Sequence, residues 1–424
     1  MSVIGILIDF YEGHILPTFR VAKALRDRGH RVCYLGIADT AETIRTQGFE
    51  FVEILGDVLP TGSARRLRAL AGRDIDNHKL MNAAQELYFG SLATGKAFDD
   101  PMARVRPDVM LVLSFYTAEA LTIRYRYGIP IVFLTPYIRR QRRAEASRAV
   151  IERMLDLKTG ATDVLQYIEQ SGVRLRSLGE IVDLILAMPD LSLIPEGFEL
   201  QGRPKDPDTH YIGAGVDLDR VEAPFPWNRV DASRPIVYVS LGSQPDVYGE
   251  TGRSFFRLLM EAALSRPQWE FIISVGGKLD LAMFEGAADH IHICDWAPQL
   301  NILSRTAFMV THGGMGTVKE CILMGVPMLV LPLVSDSVRT GHRVVHHGLG
   351  LKAEIETMDL ASILSLMDRL VTEDSFRRNV AKMRVTFLRG EDLPLAVDVI
   401  ERAATRKEGI SKGAVPMTMM ENTA

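Results

Sequence analysis

The chain has 424 residues, 47% hydrophobic and 24% charged, with a formal net charge of −4 at pH 7. That length exceeds one ordinary core and suits two α/β domains with a short tail. The slightly acidic balance supplies no basic face for nucleic acid, no run approaches the roughly 18 to 20 apolar residues of a membrane span, and no basic and apolar leader opens the chain. A cytoplasmic protein without nucleic acid or integral membrane contact is therefore expected.

In chain order, VIGILI (Val3 to Ile8) reads as a buried strand. Ile15 to Arg28 carries Leu16, Phe19, Ala22, Ala24 and Leu25 on one helical face and stops at Gly29. RVCYLG (Arg31 to Gly36) is the next strand, and the pattern recurs at Phe49 to Ile54, Val109 to Leu113 and Ile129 to Leu134. Ala144 to Met188 has helical spacing without a strand signal and reads as helices over the first sheet. SLIP (Ser192 to Pro195) and HYIGAG (His210 to Gly215) read as the last strand and the exit. Pro224, Pro226 and Pro235 punctuate a stretch with neither period, which reads as a linker.

Strand and helix signals restart with PIVYVSLGS (Pro235 to Ser243) and continue through FIISVGG, HIHIC, FMVTHGG and VPMLVLP. The expected fold class is α/β, with two doubly wound parallel sheets. The expected division is a first domain over 1–221, a linker over 222–234, a second domain over 235–390, a helix over 391–406 placed to pack back on the first domain, and a tail over 407–424. Cys33, Cys294 and Cys321 are far apart without CxxC spacing and read as buried thiols.

Three glycine-bearing turns follow predicted strands: FYEGH (Phe10 to His14), SLGS (Ser240 to Ser243) and THGGMGT (Thr311 to Thr317). Each can aim backbone N–H groups at an anion from a helix N-terminus. None matches the G-x-G-x-x-G or G-x-x-x-x-G-K-[ST] patterns, which argues against dinucleotide binding and ATP hydrolysis. Glu320, on the helix opened by THGGMGT, is a carboxylate suited to two ribose hydroxyls. No Asp-x-Asp pair stands in a turn suited to a metal, and His342, His346 and His347 lack the carboxylate or cysteine that would complete a metal set.

WAPQ (Trp296 to Gln299), THGGMGT, Glu320, GVPMLVLP (Gly325 to Pro332) and Asp336 together resemble the donor-site signature of family 1, UGT-like glycosyltransferases of the bacterial natural-product or macrolide type. GHILP (Gly13 to Pro17) and VYVSLGS resemble that family's motifs elsewhere, so the likeness spans both domains.

The resemblance implies a GT-B fold, two facing Rossmann-like sheets with a cleft between them, and an inverting, metal-independent transfer of a hexosyl or deoxyhexosyl group from a UDP- or TDP-sugar to a lipophilic small molecule. It assigns the nucleobase to Trp296, with Ala297 and Gln299 beside it. The diphosphate goes to His312, Gly313, Gly314, Gly316, Thr317 and Ser243, the ribose to Glu320, and the transferred sugar to Asp336 and Ser337. His14 is the general base. The nucleotide sugar is the co-substrate and no resident cofactor or metal is implied; the assembly is a monomer or homodimer, with room for peripheral membrane contact.

Two positions depart from the pattern. The family's usual aspartate partner of the base falls at Leu113 or Ser114, which leaves Ser114 or a nearby carboxylate, Asp9 ahead of Glu12 and Glu119, as candidates to orient the imidazole, a need that a more acidic acceptor would lessen. Ser337 stands where a sugar-contacting glutamine is usual, which favours a deoxy or modified sugar. Met154, Leu155, Leu157, Leu165 and Leu184 line an acceptor pocket or simply pack the core. Arg139 to Arg143, with Arg65, Arg66 and Arg68, form a solvated face or a site for an anionic acceptor or lipid headgroup. The alternatives kept beside a transferase are a transferase-like activating partner and a GT-B-fold nucleotide-sugar epimerase.

Overall fold

Runs buried along their whole length, such as Val109–Leu113 and Ile236–Ser240, have no polar face to give to water, which is the signature of parallel strands covered by helices on both sides. The computed structural model describes residues 1–70, 90–138, 148–199, 205–242, 249–276, 284–332 and 335–405, apart from 93, 150, 153–161 and 285. Its first sheet contains β1 (Val3–Leu7), β2 (Arg31–Gly36), β3 (Glu50–Glu53), β4 (Val109–Leu113), β5 (Ile131–Thr135), β6 (Asp190–Ser192) and β7 (Thr209–Tyr211), in the order β3-β2-β1-β4-β5-β6-β7. The second contains β8 (Ile236–Ser240), β9 (Glu270–Ser274), β10 (Ile291–Cys294), β11 (Thr306–Thr311), β12 (Met328–Val330) and β13 (Gly350–Lys352), in the order β10-β9-β8-β11-β12-β13. All the pairings are parallel.

The end of the first sheet differs from the expectation. β6 is Asp190–Ser192 rather than Ser192 to Pro195. An acidic residue can open this buried strand because Thr135 donates to its carboxylate at 2.7 Å and Thr209 at 3.4 Å. β7 stops at Tyr211, and Gly213, with φ +102°, turns the chain out of the sheet. Of the helical insertion, Thr162–Gln170 and Leu178–Leu186 are described. Leu165 and Leu184 pack against the first-domain core, not the cleft, and Met154, Leu155 and Leu157 lie outside the described residues.

Two apolar contacts are prominent among those that join the halves. Ile138, Ile194, Phe198 and Ala214 share one apolar cluster with Met309, Ile322, Val344 and Phe387 of the second half, and Phe198 lies edge-on to Phe387 with ring centroids 5.6 Å apart. The helix Leu393–Thr405 returns to the first domain, where Ala396, Val397, Ile400 and Ala403 enter the core containing Ile4, Phe19 and Leu25. His30 and Glu401, 2.9 Å apart, fasten it there. No helix among the described residues is long and apolar enough to cross a membrane.

Ile400 is fully buried although its helix follows the second domain. Ile400→Ala should cost about 2–5 kcal/mol of unfolding free energy, read by denaturant titration, whereas a helix merely resting on the surface would change little.

Candidate active site

In open α/β sheets, ligands sit beyond the carboxyl ends of the strands where the strand order reverses. Here the reversals fall between β1 and β4 and between β8 and β11. The turns that follow β1, β8 and β11, with Pro136 and Tyr137 after β5, line one cavity of about 850 Å³ between the two sheets, which receives His14 from one side and His312 from the other.

β1 ends at Leu7, Asp9 lies two residues beyond it, and a one-turn helix, Glu12–Ile15, follows. The Asp9 carboxylate accepts the Tyr11 N–H at 2.8 Å and lies 2.6 Å from His14 Nδ1, so an Asx-type turn holds the acid under the imidazole. Asp9 is buried, with 5% side-chain exposure against 33% for His14. Phe115 and Tyr11 flank the ring, at centroid distances of 4.8 and 5.6 Å. A carboxylate can only accept, so Nδ1–H donates, and in the neutral imidazole Nε2 is then the acceptor. Ser114, the alternative orienting group, does not reach His14: its hydroxyl shares a 2.9 Å hydrogen bond with Tyr137. Glu119 is buried in the helix Thr117–Tyr127, while Glu12 lines the cleft.

Across the cleft, β11 ends at Thr311 and the helix Met315–Met324 begins four residues later. His312 is clamped between glycines. A Cβ on Gly242 would stand 2.6 Å from His312 Cε1, and one on Gly314 would stand 2.5 Å from its Nε2. Burial pulls the imidazole down to about 4, against the opposing Asp336 carboxylate. His312 is thus neutral at pH 7, and its Nδ1 has no hydrogen-bond partner among the described residues. It offers a neutral hydrogen-bonding ring rather than a full charge.

The Gly313 N–H was expected on the phosphates. It donates instead to Thr311 Oγ1 at 3.2 Å, and Gly313 does not line the cleft. Val318 makes the first intrahelical bond, to Gly314 O, so the amides of Met315, Gly316 and Thr317 form the free first turn.

Trp296 is 53% exposed and lines the cavity, an unusual situation for so large an aromatic. Ala297 beside it is buried. Gln299 opens the helix Gln299–Leu303 and donates to Glu320 Oε2 at 2.7 Å and to Thr317 Oγ1 at 3.4 Å.

Glu320 does not lie on an exposed face; it is 4% exposed. Arg220 Nη1 donates to Glu320 Oε1 and Arg220 Nη2 to Oε2 at 3.3 Å, while the same guanidinium binds Glu222 at 2.6 and 2.9 Å. Burial disfavours the Arg220 charge, but the two carboxylates outweigh it and hold its pKa above the ordinary value. Sequence reasoning missed Arg220. Its only local signal is a lone cation among Asp217, Asp219 and Glu222.

Asp336 starts the helix Ser335–His346 and lines the cleft. Ser337 does not: it is 1% exposed and packs behind Gly313, since one step along a helix turns the side chain by about 100°. Ser243 and the run 139–143 lie outside the described residues, as does the Arg68 side chain, while Arg65 and Arg66 are exposed. His347 stacks on Phe198 instead of facing a metal. Among the described residues, no group of three or more His, Cys, Asp or Glu could hold a metal ion.

The model of the UDP-glucoronosyl and UDP-glucosyl transferase family matches residues 171–401, more than half of the chain. The demethyllactenocin mycarosyltransferase of Streptomyces fradiae is 26% identical, over 95% of this chain and 86% of the relative. The oleandomycin glycosyltransferase of Streptomyces antibioticus is 27% identical, over 92% and 88% respectively. The solved structure of the glycosyltransferase VinC in complex with dTDP superposes with a TM-score of 0.69 at 19% identity, covering 95% of this chain and 99% of that one. The chain belongs to the UDP-glucoronosyl and UDP-glucosyl transferase family and is a glycosyltransferase of the GT-B fold.

Proposed function

We propose that the protein transfers a sugar, hexosyl or deoxyhexosyl, from a UDP- or TDP-activated donor to a hydroxyl of a lipophilic natural-product acceptor, with inversion at the anomeric carbon and without a metal. The observation that carries this reading is the cavity receiving a carboxylate-held imidazole from one sheet and a free helix N-terminus from the other.

His14 Nε2 takes the acceptor's proton as the acceptor oxygen attacks C1. The bond from C1 to the diphosphate oxygen breaks, and its electron pair leaves with the nucleoside diphosphate. Asp9 stabilises the imidazolium that forms. The amides of Met315, Gly316 and Thr317, with His312, receive the charge developing on the leaving group. Trp296 stacks on the base, and a flat indole serves uracil and thymine alike. Glu320 takes the ribose and Asp336 takes hydroxyls of the transferred sugar. The acceptor class follows the relatives named for oleandomycin and demethyllactenocin. The donor is the co-substrate and no resident cofactor takes part. An activating-partner role rested on Ser114 and Ser337; with Asp9 against His14 and Ser337 outside the cleft, neither supports it.

His14→Ala should lower turnover by about 10²–10⁴-fold while leaving UDP or TDP affinity, measured calorimetrically, unchanged; an equal loss of both would assign His14 to binding. Trp296→Ala should weaken nucleotide binding by about 1–3 kcal/mol, and intact affinity would remove the stacking role.

His312 also gives a pH test. Its folded pKa of about 4 lies below its ordinary 6.5, so the unfolded chain binds the extra proton between these values. Its contribution to stability is therefore full above pH about 6.5 and declines as pH falls towards about 4. Thermal melts across that window should show a steeper loss for the wild type than for His312→Asn; parallel curves would contradict it.

A further inference from the structure

Arg220 belongs to neither sheet. It lies between β7 and β8, on a segment fastened to both halves of the molecule. Asp217 pairs with Lys23 at 2.5 Å, on the helix Phe19–Asp27 that follows the His14 turn. The Val221 backbone exchanges two 3.2 Å hydrogen bonds with the Gln47 amide. Glu222 accepts the Leu300 and Asn301 N–H groups at 3.2 and 3.0 Å, at the start of the helix that presents Gln299 to Glu320. Arg220 stands where these ties meet, 7% exposed, with its guanidinium shared between Glu222 and Glu320.

We propose that Arg220 is a positioning residue for the donor, acting through Glu320; this rests on the reading of the cleft as a nucleotide-sugar site. A carboxylate that is 4% exposed and lacks a cation would take up a proton or turn away from the protein interior. Arg220 donates to both Glu320 oxygens and so holds the carboxylate in place as an acceptor, the role that a ribose O–H donor requires. The carboxylate has about four acceptor positions. Arg220 and Gln299 take up Oε1 once and Oε2 from two directions, which fixes the plane of the group and leaves one position on Oε1 for a ribose hydroxyl.

A lysine would restore charge but not geometry. The guanidinium spans both Glu320 oxygens and Glu222 at once through its fork of N–H donors, whereas an ammonium is a single point.

The test compares UDP with 2′,3′-dideoxyuridine diphosphate, which keeps the base and diphosphate but lacks both hydroxyls, by calorimetry on the wild type, Arg220→Met and Arg220→Lys. The wild type should prefer UDP by at least about tenfold, the span of hydrogen bonds to a charged group. Arg220→Met should bring that ratio close to one by losing UDP affinity alone. Arg220→Lys should fall between, and in steady-state assays of both variants the donor KM should rise more than kcat falls.

If the wild type binds neither nucleotide and no dTDP either, the donor-site reading itself fails; if it binds dTDP alone, the same ratio is read with dTDP against 2′,3′-dideoxythymidine diphosphate. If it binds UDP but shows no preference, or if Arg220→Met retains the preference or loses both nucleotides equally, the donor site stands and the role of Arg220 is overturned. Should Arg220→Met not fold, the ratio for Arg220→Lys decides the matter in the same way.

Discussion

Glu320 is charged chemistry held almost entirely out of water, and much of the second half of the cleft is arranged around that constraint. A buried carboxylate is tolerable only when paired and hydrogen-bonded. Here the pairing comes from Arg220, a hundred residues away in the chain, and the hydrogen bond from Gln299. Arg220 in turn needs Glu222 to share its charge, and Glu222 caps the short helix that begins at Gln299. One ionic group thereby ties the THGGMGT helix, the WAPQ turn and the crossing segment between the sheets into one wall. Removing a single member leaves an uncompensated charge inside it, so these residues act as a unit.

The sheets were legible because strands covered on both faces have no alternation to decode, only continuous apolar runs closed by turn residues. That signal fails where a polar residue belongs inside a strand. Asp190 opens β6 because hydroxyls from β5 and β7 satisfy it, and no local pattern announces partners 55 and 19 residues away. The helical insertion illustrates the opposite ambiguity. Leu165 and Leu184 have the spacing of either a pocket lining or a core face, and their place in the first-domain core depends on neighbours that periodicity does not identify.

At the site, the sequence discloses what is local. The turns around His14 and His312 are short motifs whose glycines have a steric purpose, and the clamping of His312 between Gly242 and Gly314 is a reason for small residues in both turns. Asp9 could be ranked because it is five residues from His14 on a turn that can bring the two together. Ser337 is next to Asp336 in sequence but not in the cleft, because on a helix the next residue points elsewhere. Arg220 left almost no trace. Its meaning lies in a pairing across sequence distance, and a lone arginine in an acidic linker usually reads as solvated.

The electrostatics of the cleft also bear on how the proposed transfer gains its rate. Arg220 is balanced by Glu222 and Glu320, His312 is neutral at pH 7, and Lys319 donates to Leu193 O while burial pulls its pKa down to about 7. Among the described residues, the fixed positive potential where the proposed diphosphate would lie comes chiefly from the first-turn amides of the helix Met315–Met324. Such dipoles are aimed before the reaction begins and need no reorganisation during it. Because the leaving oxygen gains charge as its bond to C1 breaks, they stabilise the transition state more than the bound donor. That difference, rather than tight donor binding, lowers the barrier.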